Sequence, residues 1–163
     1  MKKIFAFVLA VLMIASLTAC GGGDTTGATN ATVAQLNLAD TYHTIIAGAN
    51  VPDMYEVKPE QMLDLYGIRE EYCNQAVVYL CVNSLRADEI WLLEAKDAES
   101  MARLKELAQS RLDQKDAESI TYSPEQNAVV KAAQVIEAGN YLVMIVSPDA
   151  AAIAQAFRTA AGI

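Results

Sequence analysis

His43 is the only histidine among 163 residues. Neither a Ser-His-Asp triad nor a histidine-rich metal site can be assembled without unusual members, and His43 reads as a solvated helix position. Acidic side chains are more plentiful. Glu70, Glu71, Asp88, Glu89, Glu94 and Asp97 gather around the ends of two apolar runs, where carboxylates could hold a cation or a cationic ligand. Their spacing has nothing of a calcium loop, and helix caps and solvated faces account for most of them. Glu94 is the odd one, an acid closing an apolar strand. It reads as one half of a strand-end ion pair with Lys96 or a lysine of a following helix, with a general acid or base as the alternative. Ser123 and Ser147 lack Gly-x-Ser-x-Gly surroundings, and no phosphate-cradling glycine loop follows a strand. Trp91, Glu94 and Tyr141, with Tyr79 and Met144 nearby, are the candidates for an interaction surface, although strand aromatics more often belong to a core. No catalytic, cofactor-binding or metal-ligating residue is assigned.

Three cysteines carry the remaining chemistry. Cys73 and Cys81 stand in one predicted strand, which sets them about 26 Å apart along an unbroken chain, far beyond the roughly 7 Å that a disulfide spans between Cα atoms. Two buried free thiols are expected; a bulge or turn near Asn74 that folds the segment back is the geometry that would link them. Cys20 differs in kind. Lys2 and Lys3 form a positive start, Ile4 to Leu17 an apolar run too short for a stable span, and Leu17-Thr18-Ala19-Cys20 closes it. This tetrad resembles the lipobox of bacterial lipoproteins, in which the thiol receives diacylglycerol and the signal peptidase cuts before it. Two or three acyl chains, at about 0.8 kcal/mol per buried CH₂, make a durable anchor where one is marginal.

The first 19 residues therefore read as a signal peptide and residues 20–30 as the lipidated cysteine with a Gly/Thr-rich tether, whose r.m.s. span is about 16–19 Å. Losing Lys2 and Lys3 takes the formal charge from −8 to −10. A domain so acidic repels nucleic acid and anionic headgroups, leaving the lipid to do the anchoring.

Residues 31–163 must then supply one domain, and 53% hydrophobic residues in the whole chain suffice for a core without a metal or disulfide. Leu38, Tyr42, Ile45, Ile46 and Ala49 predict an amphipathic helix within 31–49, and Pro59 to Tyr66 a short helix opened by proline and stopped at Gly67. A β pattern follows: Ala76 to Val82, a loop through Asn83-Ser84 and Ala87-Asp88, and Ile90 to Leu93. Asp97 caps a helix with Met101, Leu104, Ala108 and Leu112 on one face and a Glu99–Arg103 pair. Ser123-Pro124-Glu125-Gln126 is a capping box. The stretch after it could be one helix to Gly139, but an internal echo favours a helix to about Lys131 and a strand over Gln134 to Ala138. At an offset of 52, Ile90-Trp91-Leu92-Leu93 then Asp97 corresponds to Leu142-Val143-Met144-Ile145 then Asp149. Tyr141 to Val146 is thus a strand, and Asp149 caps a final helix ending at Gly162.

The expected fold is α+β: two strand–strand–helix repeats forming a four-stranded, mainly antiparallel sheet with helices packed on it, behind an N-terminal helical segment. Three of its strands are apolar on both faces. If the two repeat helices cover one face, residues 31–66 or a partner must cover the other, giving a monomer or a homodimer.

Val51-Pro52-Asp53-Met54, Leu65-Tyr66-Gly67-Ile68, Ala87-Asp88-Glu89-Ile90 leading to Glu94-Ala95-Lys96-Asp97, Tyr122-Ser123-Pro124-Glu125, and Gly139-Asn140-Tyr141 before Val146-Ser147 and Asp149 together resemble a family of small lipoproteins of Gram-positive, mostly anaerobic bacteria, described only as a domain of unknown function. Trp91 departs from the pattern, where a smaller residue is expected. The resemblance implies an extracytoplasmic protein anchored in the cell membrane through Cys20, and carries no activity, substrate or site residue. The expected function is a non-catalytic binding or assembly module with an envelope protein as a candidate partner. The alternatives are a small envelope-acting enzyme using Glu94, or a small solute-binding lipoprotein, which 144 mature residues hardly suffice to build as two closing lobes.

Overall fold

The computed structural model of the chain describes residues 33–163, within a compact unit spanning 31–163. The signal peptide, Cys20 and the tether lie outside the described residues.

Asn37 opens α1 (Leu38–Ile46) by accepting a hydrogen bond from the Asp40 amide, and Tyr42 and Ile45 face inward one turn apart. β1 (Met54–Glu56) and α2 (Pro59–Tyr66) follow, with Gly67 in the left-handed conformation that stops the helix. β2 (Cys73–Cys81) and β3 (Glu89–Ala95) form the first hairpin, and α3 (Ala98–Tyr122) starts where Asp97 accepts from the Ser100 amide. α4 (Pro124–Lys131), β4 (Gln134–Ala138), β5 (Tyr141–Val146) and α5 (Ala150–Ala161) complete the chain, so the second repeat has the predicted bounds. Cys73 and Cys81 end the same strand as buried free thiols, and the bulge between Cys73 and Gln75 leaves the strand direction unchanged.

The fold class is α+β as expected, with a fifth strand. The sheet order is β1-β2-β3-β5-β4, antiparallel throughout. β1 lies between the two expected N-terminal helices, where the residue pattern predicts no element. Three residues after Pro52 carry no period of their own, and Met54–Glu56 becomes a strand only by pairing with the open edge of β2.

The helices divide differently from the expectation. α1 and α5 cover one face through Leu38, Tyr42, Ile45, Ile153 and Phe157 against Ile90, Leu92, Val143 and Ile145. α2, α3 and α4 cover the other, with Met62, Met101, Leu104, Ala108 and Val130 against Trp91, Leu93, Leu142 and Met144. The repeat helices α3 and α5 thus lie on opposite faces. Since β3 and β5 pair in the register Ile90↔Ile145, residues 52 apart point to opposite sides of the sheet, and the helices that follow them leave on opposite sides too. Both faces are covered within the unit, so its core is complete without the first 30 residues.

Two local expectations are corrected. Arg103 pairs with Glu106 at 2.6 Å instead of Glu99, both partners being solvated. Asp149 makes no side-chain cap; at φ −98°, ψ 22° its backbone is not extended, and its carboxylate instead accepts from the Asn50 amide at 2.7 Å.

Candidate functional site

Strand alternation decides what β3 presents to α3. Glu89, Trp91 and Leu93 share the face beneath the helix, so the first of these puts a carboxylate where a hydrophobe would ordinarily sit. On α3, Leu104 and Ala108 make the inward stripe, and Arg111 and Lys115 continue it at the same spacing. The helix therefore lowers two cations onto Glu89.

Glu89 is fully buried. Arg111 Nε lies 3.1 Å from both carboxylate oxygens and its Nη2 2.8 Å from Oε2, while Lys115 Nζ is 2.8 Å from Oε2. Trp91 Nε1 donates to Oε1 at 2.7 Å. Such charge-assisted contacts offset the desolvation of a buried carboxylate. Burial alone would lower the pKa of Arg111, but the Glu89 carboxylate outweighs it and holds the guanidinium charged. The Tyr66 ring lies under Arg111, 5.3 Å away, and edge-on to Trp91 at 5.0 Å. Burial, then the charge of Glu89, push its hydroxyl well above the phenol range, against the pull of Arg111.

The loop joining β2 to β3 closes over this cluster. Lys115 Nζ donates to the Ala87 carbonyl at 2.9 Å, and Gln126 of α4 accepts from the Ala87 amide at 2.8 Å. Asp88 is 1% exposed; its Oδ2 accepts from Arg86 Nε at 2.9 Å, and its buried Oδ1 has no hydrogen-bond partner among the described residues. Between this loop and the helices lies a cleft of about 590 Å³. Tyr55, Leu80 and Leu85 form an apolar lip, Arg111 and Lys115 line the α3 side, and Ser123 and Gln126 stand on the α4 side. Two smaller hollows, of about 240 and 380 Å³, lie beside Cys73 and beside Asn140.

The proposed surface residues do not form a surface. Trp91, Glu94 and Tyr141 are 0%, 5% and 1% exposed, and Trp91 points to the opposite sheet face from the cross-strand pair Glu94–Tyr141. Glu94 makes neither of its expected ion pairs. Its oxygens accept from Gln75 Nε2 at 2.7 Å and Asn140 Nδ2 at 2.8 Å. Gln75 also binds the Leu36 carbonyl and the Leu38 amide, and the Tyr141 hydroxyl accepts from the Leu36 amide, so this group pins the start of α1 to the sheet. The acidic residues separate as well: Asp88 and Glu89 stand at one end of the sheet, Glu94 and Asp97 at the other. His43 is exposed on α1, as expected, and Ser147 is buried. Among the described residues, no group of three or more His, Cys, Asp and Glu side chains is placed to hold a metal. Arg111 and Lys115 were missed, although their register with Leu104 and Ala108 is visible in the sequence.

A five-stranded antiparallel sheet between helical layers defines an α+β domain, and a cleft lies beside its buried ion cluster. Residues 47–147, more than half of the chain, match the family described as a domain of unknown function (DUF4358), and the chain belongs to that family. The match includes every residue lining the cleft. No curated protein and no solved structure matches the chain.

Proposed function

We propose that the protein is a non-catalytic binding module, held at the extracytoplasmic face of the cell membrane by lipid on Cys20, and that the cleft between the β2–β3 loop and α3 is where it binds. The cleft carries this reading: its volume and mixture of apolar lip and convergent polar groups are those of small-molecule sites. Its charged groups support binding over chemistry. Arg111 and Lys115 are engaged by Glu89 and Arg86 by Asp88, while the only histidine stands on α1, across the sheet. Glu94, the candidate acid or base of the enzyme alternative, lines none of the three hollows.

Leu17-Thr18-Ala19-Cys20 and the glycine-rich residues after it support the anchor, and with it the likeness to small Gram-positive lipoproteins. The chain enters the folded unit beside the β4–β5 turn, where Val33 lies against Gly139 and the Ala34 amide donates to the Ala161 carbonyl. The cleft stands at the other end of β5, where Val146 pairs with Glu89, about 20 Å away along the strand.

Cys20→Ala should leave the membrane fraction and retain its leader; unchanged retention and processing overturn the anchor. Protein purified from membranes and denatured should release a small molecule that Ser84→Trp, which fills the cleft from an exposed loop position, no longer carries. Identical extracts from both proteins overturn the cleft as the binding site.

A further inference from the structure

We propose that the cleft selects a small organic anion with an apolar body, a carboxylate or phosphate monoester head on an alkyl or aryl chain; this rests on the cleft being the binding site. The polar groups facing it are unequal in kind. Arg86 gives its Nε to Asp88, and its two Nη groups meet no acceptor among the described side chains, so a planar fork of N–H donors is left at the mouth. That fork matches the oxygens of a carboxylate or phosphate in pairs. Lys115 donates to the Ala87 carbonyl and lies 2.8 Å from Glu89 as an ion pair, with three N–H donors to share between these and a ligand. Gln126 uses its oxygen on the Ala87 amide and keeps its NH₂, and the Ser123 hydroxyl, which accepts from the Gln126 amide, keeps its proton. Donors therefore outnumber the acceptors that they could satisfy. The one buried side-chain acceptor without a partner among the described residues, Asp88 Oδ1, is sealed from solvent.

Charge does not oppose this. Arg86, Arg111 and Lys115 balance the buried Asp88 and Glu89 and the exposed Glu118, so no net negative charge repels an anion. Glu118, the remaining lining acid, is exposed at the rim and already accepts from Gln114, where water and salt screen it. The lip explains the body. Leu85 is 81% exposed and Tyr55 47%, and with Leu80 they offer apolar surface beside the Arg86 fork. A ligand that lays a chain of several carbons there buries surface that water now covers.

The test is calorimetric titration of residues 31–163 with four probes of equal chain length: hexanoate, hexyl phosphate, hexylammonium and hexanol. Inorganic phosphate serves as a head without a body. The expected result is saturable one-to-one binding of hexanoate or hexyl phosphate at least tenfold tighter than of hexylammonium, hexanol or phosphate. The tighter of the two anions tells a carboxylate site from a phosphate site. Arg86→Gln should weaken the preferred anion at least tenfold, and Arg86→Gln with Asp88→Asn, which leaves no unpaired buried acid, should do the same. Arg69→Gln, an exposed arginine paired with Glu71 away from the cleft, should change nothing. Leu85→Asp should weaken the hexyl anion and leave inorganic phosphate as it was. Equal binding of hexylammonium or hexanol, no saturable binding of either hexyl anion, or silence of both Arg86 variants overturns the proposal. If membrane extracts then yield a cationic or neutral ligand that Ser84→Trp loses, the cleft remains a binding site and only its anion selectivity falls.

Discussion

Glu89 stands between two cations that the fold has taken out of water, Arg111 and Lys115 with side chains 17% and 9% exposed. Removing the acid leaves them facing each other, and breaking a buried pair by one partner typically costs about 3–5 kcal/mol. Glu89→Gln should therefore lower the free energy of unfolding by that order, while replacing Glu89, Arg111 and Lys115 together with Leu, Met and Met should cost less than the single change. Urea unfolding of both variants checks this, and a triple variant less stable than Glu89→Gln would show that the ions stabilise the fold outright. Cys73 offers a second test at this scale. Burial pushes its thiol from 9.0 up to about 11, against the pull of Lys96. The unfolded chain releases that proton first, so this contribution to stability is complete below pH 9 and lost as pH rises through 11. At about 1.4 kcal/mol per pKa unit the loss is about 2–3 kcal/mol. Tyr42, raised by burial to about 12, extends the decline beyond pH 10. Unfolding curves from pH 8 to 11 should show the fall, and Cys73→Ala should flatten its first part.

The helices before residue 70 are parts of the core rather than a stalk. α1 buries Leu38, Tyr42 and Ile45 on one face and α2 buries Met62 on the other, each side chain worth roughly 1.5–3 kcal/mol. A chain beginning at Glu70 loses cover on both faces and the edge strand β1 together. It should be insoluble or self-associating, and sedimentation of a stable monomer from that truncation would mean that the sheet hides its apolar residues some other way. Much at this scale is readable in the residues: Pro59 and Gly67 bound α2, Asp97 opens α3, and Gly139-Asn140 makes the β4–β5 turn. β1 is not readable, because its strand state comes from the pairing with β2 and from no pattern within Met54-Tyr55-Glu56.

With both sheet faces covered from within, a second copy has no apolar face to complete, and the chain from Ala31 onward should sediment as a monomer. A dimer at micromolar concentration would direct attention to the exposed edge around Tyr55, Val82 and Leu85. What the residues alone determined is local or compositional: the acidic balance, the apolar strands, the caps and stops of most helices, and two thiols too far apart along one strand to join. Each depends on neighbours a few positions away, where backbone sterics and periodicity act. The tertiary structure decided which side of the sheet each helix takes, since that follows from the β3–β5 register across some fifty residues. It likewise turned Trp91, Glu94 and Tyr141 from surface candidates into buried supports. The cleft arose from the same long-range placement, because Glu89 becomes a site only when α3 sets Arg111 and Lys115 above it and the loop carrying Arg86 and Asp88 closes beside them.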